Sequence, residues 1–283
     1  MTKPISERDA LESVLRTMGE VAVAVSGGVD SLTLAAFAHR HIAERCKMFH
    51  AVSPAVPFEG TQRTRELADR EGWALHVIDA GEFDNGDYMR NPVNRCFYCK
   101  TSLYGAIRPH TSAQIVSGTN LDDLGEYRPG LMAAKEHGVR HPFVEAAMSK
   151  QQVRSLAREL GLGEVAELPS SPCLSSRIET GIAIDPAMLA CVHAAEKLVA
   201  ERLAPRTVRC RVRATGVVIE LDRDSLARVQ ATPGLALIAE VAELFGGAGF
   251  DYAVAFEPYR TGSAFLHFKP PASVPPAAQG SQG

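Results

Sequence analysis

Val21-Ala-Val-Ala-Val-Ser-Gly-Gly-Val-Asp-Ser31 decides the fold. Its first five residues are a continuous apolar run, short enough for a strand buried on both faces of a parallel sheet. Ser26-Gly27-Gly28 ends the run, and residues 31–45, rich in alanine and leucine, read as the helix that follows. Outward from there, residues 48–52, 74–78 and 115–117 read as further strands, with a helix over about 60–71 between the first two. Strands alternating with helices at this spacing predict an α/β unit, a parallel sheet with flanking crossover helices. Ligands of such sheets sit beyond the carboxyl ends of the strands, where these loops gather.

Ser149 caps a helix running to about residue 160, and Gly161 stops it. Residues 168–177 have no periodicity, two prolines and one cysteine. After Asp185-Pro186 a helix to about 203 precedes strands at 207–213 and 217–221, a helix to about 245 and a strand at 252–256. That α-β-β-α-β order predicts a smaller α+β domain of the split-βαβ kind. The expected organisation is therefore 1–180, 181–269 and a low-complexity, disordered tail at 270–283. At 283 residues the chain can fill two cores, and a net charge of −3 argues against nonspecific polyanion binding. No run is long and apolar enough to span a membrane, and the first residues do not read as a secretory leader. Six cysteines are too sparse for a disulfide scaffold, so a cytoplasmic protein that uses thiols for chemistry or packing is expected.

Ser26-Gly27-Gly28-Val29-Asp30-Ser31 stands between strand and helix. Glycine lets the backbone turn tightly and approach an anion. Amides at the helix start, with the Ser26 and Ser31 hydroxyls, can bind phosphate oxygens. Asp30 repels phosphate, so its fitting task is to hold a Mg²⁺ that bridges phosphates. The Gly-Lys-Ser/Thr ending of a Walker A loop is absent. The segment resembles instead the SGGxDS loop of ATP pyrophosphatases (PP-loop enzymes), which split ATP to AMP and pyrophosphate. An ordinary glycine-rich turn is the plain alternative. Gly118-Thr119-Asn120-Leu-Asp-Asp-Leu-Gly125 also follows a strand and should reach the same sheet edge. Thr119 and Asn120 suit a nucleotide, and Asp122 and Asp123 suit a metal; a helix-capping Asx turn is the alternative. By the PP-loop resemblance Gly118, Thr119 and Asn120 form the second nucleotide motif, and Ser53 lies where adenine is contacted.

Cys96 and Cys99, in Asn91-Pro-Val-Asn-Arg-Cys-Phe-Tyr-Cys-Lys100, and Cys173 read as loop cysteines. A Cys-x-x-Cys pair suits zinc, an iron–sulfur cluster or a redox dithiol. Structural zinc normally needs four ligands, and only one further loop cysteine is evident. Three thiolates leave one corner of a [4Fe–4S] cluster open, which suits sulfur delivery. Arg95, Lys100 and Arg177 flank the thiols and favour thiolates. A helix-start pair plus an unrelated thiol is the alternative. Cys46, at the end of the first long helix, Cys191 and Cys210 read as packing residues. Arg209, Arg211 and Arg213 recur at period two on one strand face, opposite Cys210 and Val212. A substrate phosphate or a solvated face would each relieve their repulsion.

Ser26–Ser31, residues 94–100, 118–130 and 172–178, Arg211-Val-Arg213 and Tyr259-Arg-Thr-Gly-Ser263 together resemble the LarE family, PP-loop sulfur transferases of nickel-pincer cofactor biosynthesis. The resemblance covers about residues 10–268. It implies that the carboxylates of pyridinium-3,5-biscarboxylic acid mononucleotide are adenylated with ATP and Mg²⁺ on Asp30, then converted to thiocarboxylates. It assigns Arg211 and Arg213 to the substrate phosphate. Sulfur comes either from Cys173 itself, leaving dehydroalanine, or through a [4Fe–4S] cluster on Cys96, Cys99 and Cys173, which the three cysteines favour. A homo-oligomer and a downstream nickel-insertion protein are also implied, with neither nucleic acid nor membrane as partner. Ala255-Phe-Glu-Pro-Tyr259 departs from the family's expected Asp-Leu-x-Gly-Tyr, so no carboxylate site is carried into the second domain.

Three other functions compete with this one. A PP-loop tRNA thiolase would want a broad basic surface, which a net charge of −3 does not supply. An amide-forming ligase would leave three cysteines without a task. A non-catalytic ATP-binding regulator is separated from both by pyrophosphate release.

Overall fold

The computed structural model describes residues 6–125, 128–169, 172–231 and 234–265. The first unit opens with α1 (Glu7–Arg16), β1 (Val21–Val25), α2 (Val29–Ile42), β2 (Cys46–Val52), α3 (Phe58–Glu71) and β3 (Leu75–Asp79). It continues through α4 (Gly86–Met89), α5 (Arg95–Ile107), β4 (Gln114–Ser117), α6 (Pro129–Glu136), α7 (Pro142–Glu145), α8 (Lys150–Glu159) and α9 (Gly163–Ala166). The second unit is α10 (Pro186–Leu203), β5 (Val208–Arg213), β6 (Gly216–Leu221), α11 (Arg223–Ala231), α12 (Gly234–Gly246) and β7 (Val254–Pro258).

The first sheet is all parallel in the order β3-β2-β1-β4, as an α/β fold requires. Every residue of β1 is buried, because helices cover both faces of this inner strand. From β1 the chain crosses through α2 to β2 on one side, while β4 returns on the other. The strand order therefore reverses between β1 and β4, the place where ligands of such sheets bind, and the loops leaving those two strands gather at their carboxyl ends. Ser149 caps α8 with a full capping box, its hydroxyl accepting from the Gln152 N–H.

Several expected elements differ. Cys46 does not end the first helix: α2 stops at Ile42, a 3₁₀ turn covers Ala43–Arg45, and Cys46 opens β2. Cys96 and Cys99 lie not in a loop but in the first turns of α5. The single helix expected before residue 245 is two, α11 and α12, so the order is α-β-β-α-α-β. The second sheet runs β5-β6-β7, with β5 antiparallel and β7 parallel to β6. It is not a split βαβ, since no strand separates the parallel pair. The tail expected to be disordered lies outside the described residues. No helix of the described residues is long and apolar enough to cross a membrane.

The two units share packing. Ala55 and Tyr88 of the first unit join the core of the second, and Ile178 bridges to Val212 on β5. Every residue of β6 is buried, Glu220 included. Glu220 is 0 % exposed and meets Arg211 Nε at 3.0 Å and an Arg213 Nη at 2.8 Å. Removing one member of such a buried pair strands the other charge, which costs about 3–5 kcal/mol. Glu220→Gln is accordingly expected to lower the unfolding free energy by about that amount in urea titration. Adding Arg211→Met should recover part of it. A loss under about 1 kcal/mol would mean that water, not Glu220, balances these arginines.

Candidate active site

After β1 the backbone turns at Gly27, whose φ of +78° favours glycine. A Cβ there would stand 2.5 Å from the Gly60 carbonyl oxygen on α3. Gly28 is the N-cap of α2 and supplies no side chain to cap it, so the first amides of α2 remain for an anion. The two serines close the turn on itself. Ser31 Oγ donates to the Gly28 carbonyl at 3.1 Å, accepts from the Ser26 N–H at 3.0 Å, and lies 3.1 Å from Ser26 Oγ.

The loop after β4 packs directly onto this turn. A Cβ on Gly118 would come within 2.7 Å of the Ser31 nitrogen and 2.8 Å of the Asp30 carbonyl carbon. Asn120, fully buried, donates through Nδ2 to Asp30 Oδ1 at 3.4 Å and accepts from the Asp122 N–H at 3.0 Å. Thr119 Oγ1 lies 3.1 Å from Ser117 Oγ, which lies 2.9 Å from His141 Nδ1. Gly118 and Asn120 thus meet the Ser26–Ser31 segment at the sheet edge that the sequence predicts for both loops, while Thr119 turns to Ser117. Asp122 and Asp123 are occupied locally. Asp122 accepts from the Lys150 N–H at 3.1 Å, and Asp123 accepts from the Asn120 N–H at 3.1 Å and pairs with Arg128 at 2.9 Å.

Lys150 is the residue that sequence reasoning missed. Its ammonium pairs directly with the Asp30 carboxylate. Burial raises the Asp30 pKa despite this partner. A signal was present: Lys150 is the first residue of α8, where the helix dipole disfavours a cation, so an anionic partner was called for. Asp30, the carboxylate expected to hold a Mg²⁺, is thus paired with a side-chain cation in this structure.

Cys96, Cys99 and Cys173 are half-buried and free, and Cys96 and Cys99 each feel the charge of Cys173. Burial pushes the Cys99 thiol up to about 12 and raises Cys96, against the pull of Lys100 and Arg95. Burial would lower the Lys100 ammonium, but the Tyr104 phenol and the three thiols together raise it. Gly130 on α6 approaches the same place, since a Cβ there would lie 3.2 Å from Lys100 Cγ and 3.6 Å from the Cys96 carbonyl oxygen. Among the described residues no three His, Cys, Asp or Glu side chains are grouped to hold a single metal ion.

The Cys173 loop is anchored from four directions. Arg177, 3 % exposed, donates to the Pro172 carbonyl at 2.6 Å and the Cys173 carbonyl at 3.2 Å, and is itself held by Glu196 at 3.0 and 3.1 Å. Leu174 N–H donates to Ala55 O at 2.8 Å, just past Ser53, whose Oγ accepts from the Ala55 N–H at 3.3 Å. Tyr88 and Ser175 hydroxyls lie 2.6 Å apart, and Arg211 donates to Ser176 O at 3.1 Å. Asn91, buried at φ +52°, donates to the carbonyls of Glu179 and Ile182 at 2.9 Å each and accepts from Arg95. It staples the chain before Cys96 to the chain after Cys173. Asn91, Tyr88 and Glu196 were not foreseen; only Asn91, before Pro92 and of a type that tolerates φ > 0, offered a clue.

The arginine face of β5 is not a bare stripe. Arg211 is buried on Glu220, and Arg213 reaches Glu220 and, at 2.9 Å, Glu257. Arg209 lies near Arg177, and burial followed by that charge lowers its pKa. The face therefore carries cations and carboxylates in alternation, with Arg211 tied to the Cys173 loop.

A family model for asparagine synthase matches residues 8–96, the span holding the glycine-rich loop. An uncharacterized protein of Synechocystis is 34% identical over 260 residues, 89% of this chain and 95% of that one. The pyridinium-3,5-bisthiocarboxylic acid mononucleotide synthase of Lactiplantibacillus plantarum is 30% identical over 212 residues, 73% of this chain and 76% of its own. A subunit of the glutamine-hydrolyzing GMP synthase of Thermococcus kodakarensis is 28% identical over 166 residues, 52% of each chain.

Proposed function

The chain belongs to the LarE family of PP-loop, ATP-dependent sulfur transferases, and on that premise we propose that it inserts sulfur into pyridinium-3,5-biscarboxylic acid mononucleotide in nickel-pincer cofactor biosynthesis. The observation that carries this reading is the convergence of three free thiols on Lys100, with Arg95 beside Cys96. An amide-forming relative would have no use for it.

The amides opening α2 would receive the ATP phosphates, and Asp30 would hold a Mg²⁺ that offsets their negative charge. Lys150 supplies positive charge as pyrophosphate departs. A substrate carboxylate oxygen attacks the α-phosphorus, the α–β bridging bond breaks, and an acyl-adenylate remains. Sulfur then attacks the acyl carbon, AMP leaves with its bonding pair, and a thiocarboxylate results. Arg211 and Arg213 receive the substrate phosphate by exchanging part of their bonding to Glu220 and Glu257 for the ligand.

Cys96, Cys99 and Cys173 are the residues that would hold a [4Fe–4S] cluster, three free thiols with the Lys100 ammonium among them being a donor set of the kind such a cluster takes. When bound, the cluster would supply an iron corner free of protein thiolate at which sulfide is held. Arg95 and Lys100 would balance the negative charge of three thiolates. Assembly as a homo-oligomer and hand-over to a nickel-insertion protein belong to the same proposal.

Anaerobic purification followed by iron and sulfide analysis, then incubation with ATP, Mg²⁺ and the dicarboxylate mononucleotide, is the test. Iron and sulfide near 4 per chain are expected, together with pyrophosphate release and a thiocarboxylate product by mass spectrometry. A colourless, iron-free protein that forms dehydroalanine at Cys173 after one turnover would replace the cluster by sacrifice of the cysteine. Pyrophosphate release that needs RNA instead of the mononucleotide would overturn the substrate.

A further inference from the structure

Three contacts tie the first turns of α3 to the end of β1 and the loop that follows it, and the adenylation chemistry above gives none of them a task. Arg63 Nη1 donates to the Gly27 carbonyl at 2.8 Å. The Gly60 carbonyl oxygen fills the space that a side chain on Gly27 would need. His50, fully buried on β2, has Nδ1 at 2.9 Å from the Val25 carbonyl and Nε2 at 2.9 Å from Thr61 Oγ1. A carbonyl only accepts, so Nδ1 carries the proton and Nε2 accepts from the Thr61 hydroxyl. His50 thereby fixes the end of β1 to the same turn of α3. Among the described residues Arg63 has no carboxylate partner, and its one hydrogen bond goes to the loop.

The geometry of a trans peptide gives this bond a consequence. In the Gly27–Gly28 peptide the C=O and the following N–H point in opposite directions. A guanidinium that holds the Gly27 oxygen toward α3 turns the Gly28 N–H away from α3. It also polarises the peptide and strengthens that N–H as a donor. We propose that Arg63 is a positioning residue for phosphate recognition, aiming and polarising the Gly28 amide from behind the loop while His50 and Thr61 hold its own turn of helix in place. The proposal rests on the reading of this loop as the phosphate site for ATP. Arg63 need not touch the nucleotide.

Calorimetric titration of inorganic pyrophosphate, ATP with Mg²⁺, and adenosine into wild type, Arg63→Met and Arg63→Lys tests this. Arg63→Met keeps the apolar stem and removes every donor. It is expected to weaken pyrophosphate and ATP binding about tenfold or more, in line with loss of a charge-assisted bond. Adenosine affinity and the thermal midpoint should stay at the wild-type value, and Arg63→Lys should restore most of the phosphate affinity. Wild-type pyrophosphate affinity in Arg63→Met would overturn the positioning role alone. Equal losses for adenosine and pyrophosphate would also overturn it, because they mark a general loosening of the site. A wild-type chain that binds neither ATP nor pyrophosphate would overturn the ATP-site reading and the positioning role together.

Discussion

Cys173→Ser is expected to abolish thiocarboxylate formation while ATP-dependent pyrophosphate release persists. Both routes for sulfur pass through this one thiol, as the donor itself or as a cluster ligand, and a hydroxyl replaces it in neither. The loss should be at least ~10³-fold, the scale seen when a residue acting as a unit with others is removed. The fold of the loop does not depend on the sulfur. Arg177 holds the Cys173 carbonyl, not its side chain, and Leu174 and Ser175 are bonded independently to Ala55 and Tyr88. On the proposed function adenylation takes place at Ser26–Ser31 and Gly118–Asn120, so its product should accumulate. Cys96→Ser separates the two routes. A cluster predicts that iron and sulfur transfer fall together, whereas a sacrificial Cys173 predicts one full turnover without Cys96. Thiolation by Cys173→Ser at the wild-type rate would remove Cys173, and with it both routes, from the chemistry.

The glycine-rich turn after β1 was legible in the sequence because its two signals are local. An unbroken apolar run and adjacent glycines speak of a buried strand and a tight turn within eleven residues. Cys46 was misplaced for a related reason. Ala43-Glu44-Arg45 favours helix by composition, but the chain takes a 3₁₀ turn there so that Cys46 can pair beside Val21. The helical setting of Cys96 and Cys99 stood only as the alternative because the first turns of α5 are polar and its buried Ile107 comes at the last position. Arg95 and Lys100 stand there with the thiols, so no apolar stripe marks the period. Partners across long separations were the least legible. Lys150 meets Asp30 from 120 residues away. Glu220 interrupts Val217-Val-Ile-Glu-Leu, and a charge in a strand so apolar requires a buried partner. The arginines of β5 lie one hairpin away, but the alternation shows only which face they share. It does not show that a carboxylate already stands among them.

Gly27→Ala is expected to cut ATP-dependent pyrophosphate release by about 10²-fold or more, because it attacks the phosphate loop twice. The residue sits at φ +78°, where an L side chain is strained by about 1–3 kcal/mol. The new Cβ would also stand 2.5 Å from the Gly60 oxygen and 2.8 Å from its carbon. Both are backbone atoms of a helix turn, so no rotamer change can clear the space. Either the loop backs away from α3 or φ changes sign. Each response breaks the Arg63 bond to the Gly27 carbonyl and turns the following amide. A displacement near 1 Å at a group that orients substrate is enough for a loss of this size. Gly105→Ala provides the contrast. Gly105 lies within α5, has no atom within 4 Å of its would-be Cβ, and has no positive φ. Alanine there should be neutral or stabilising by about 0.5–1 kcal/mol. Steady-state pyrophosphate release with thermal denaturation of both variants checks the pair. If Gly27→Ala keeps wild-type turnover, the close approach of α3 to this loop does not position the phosphates.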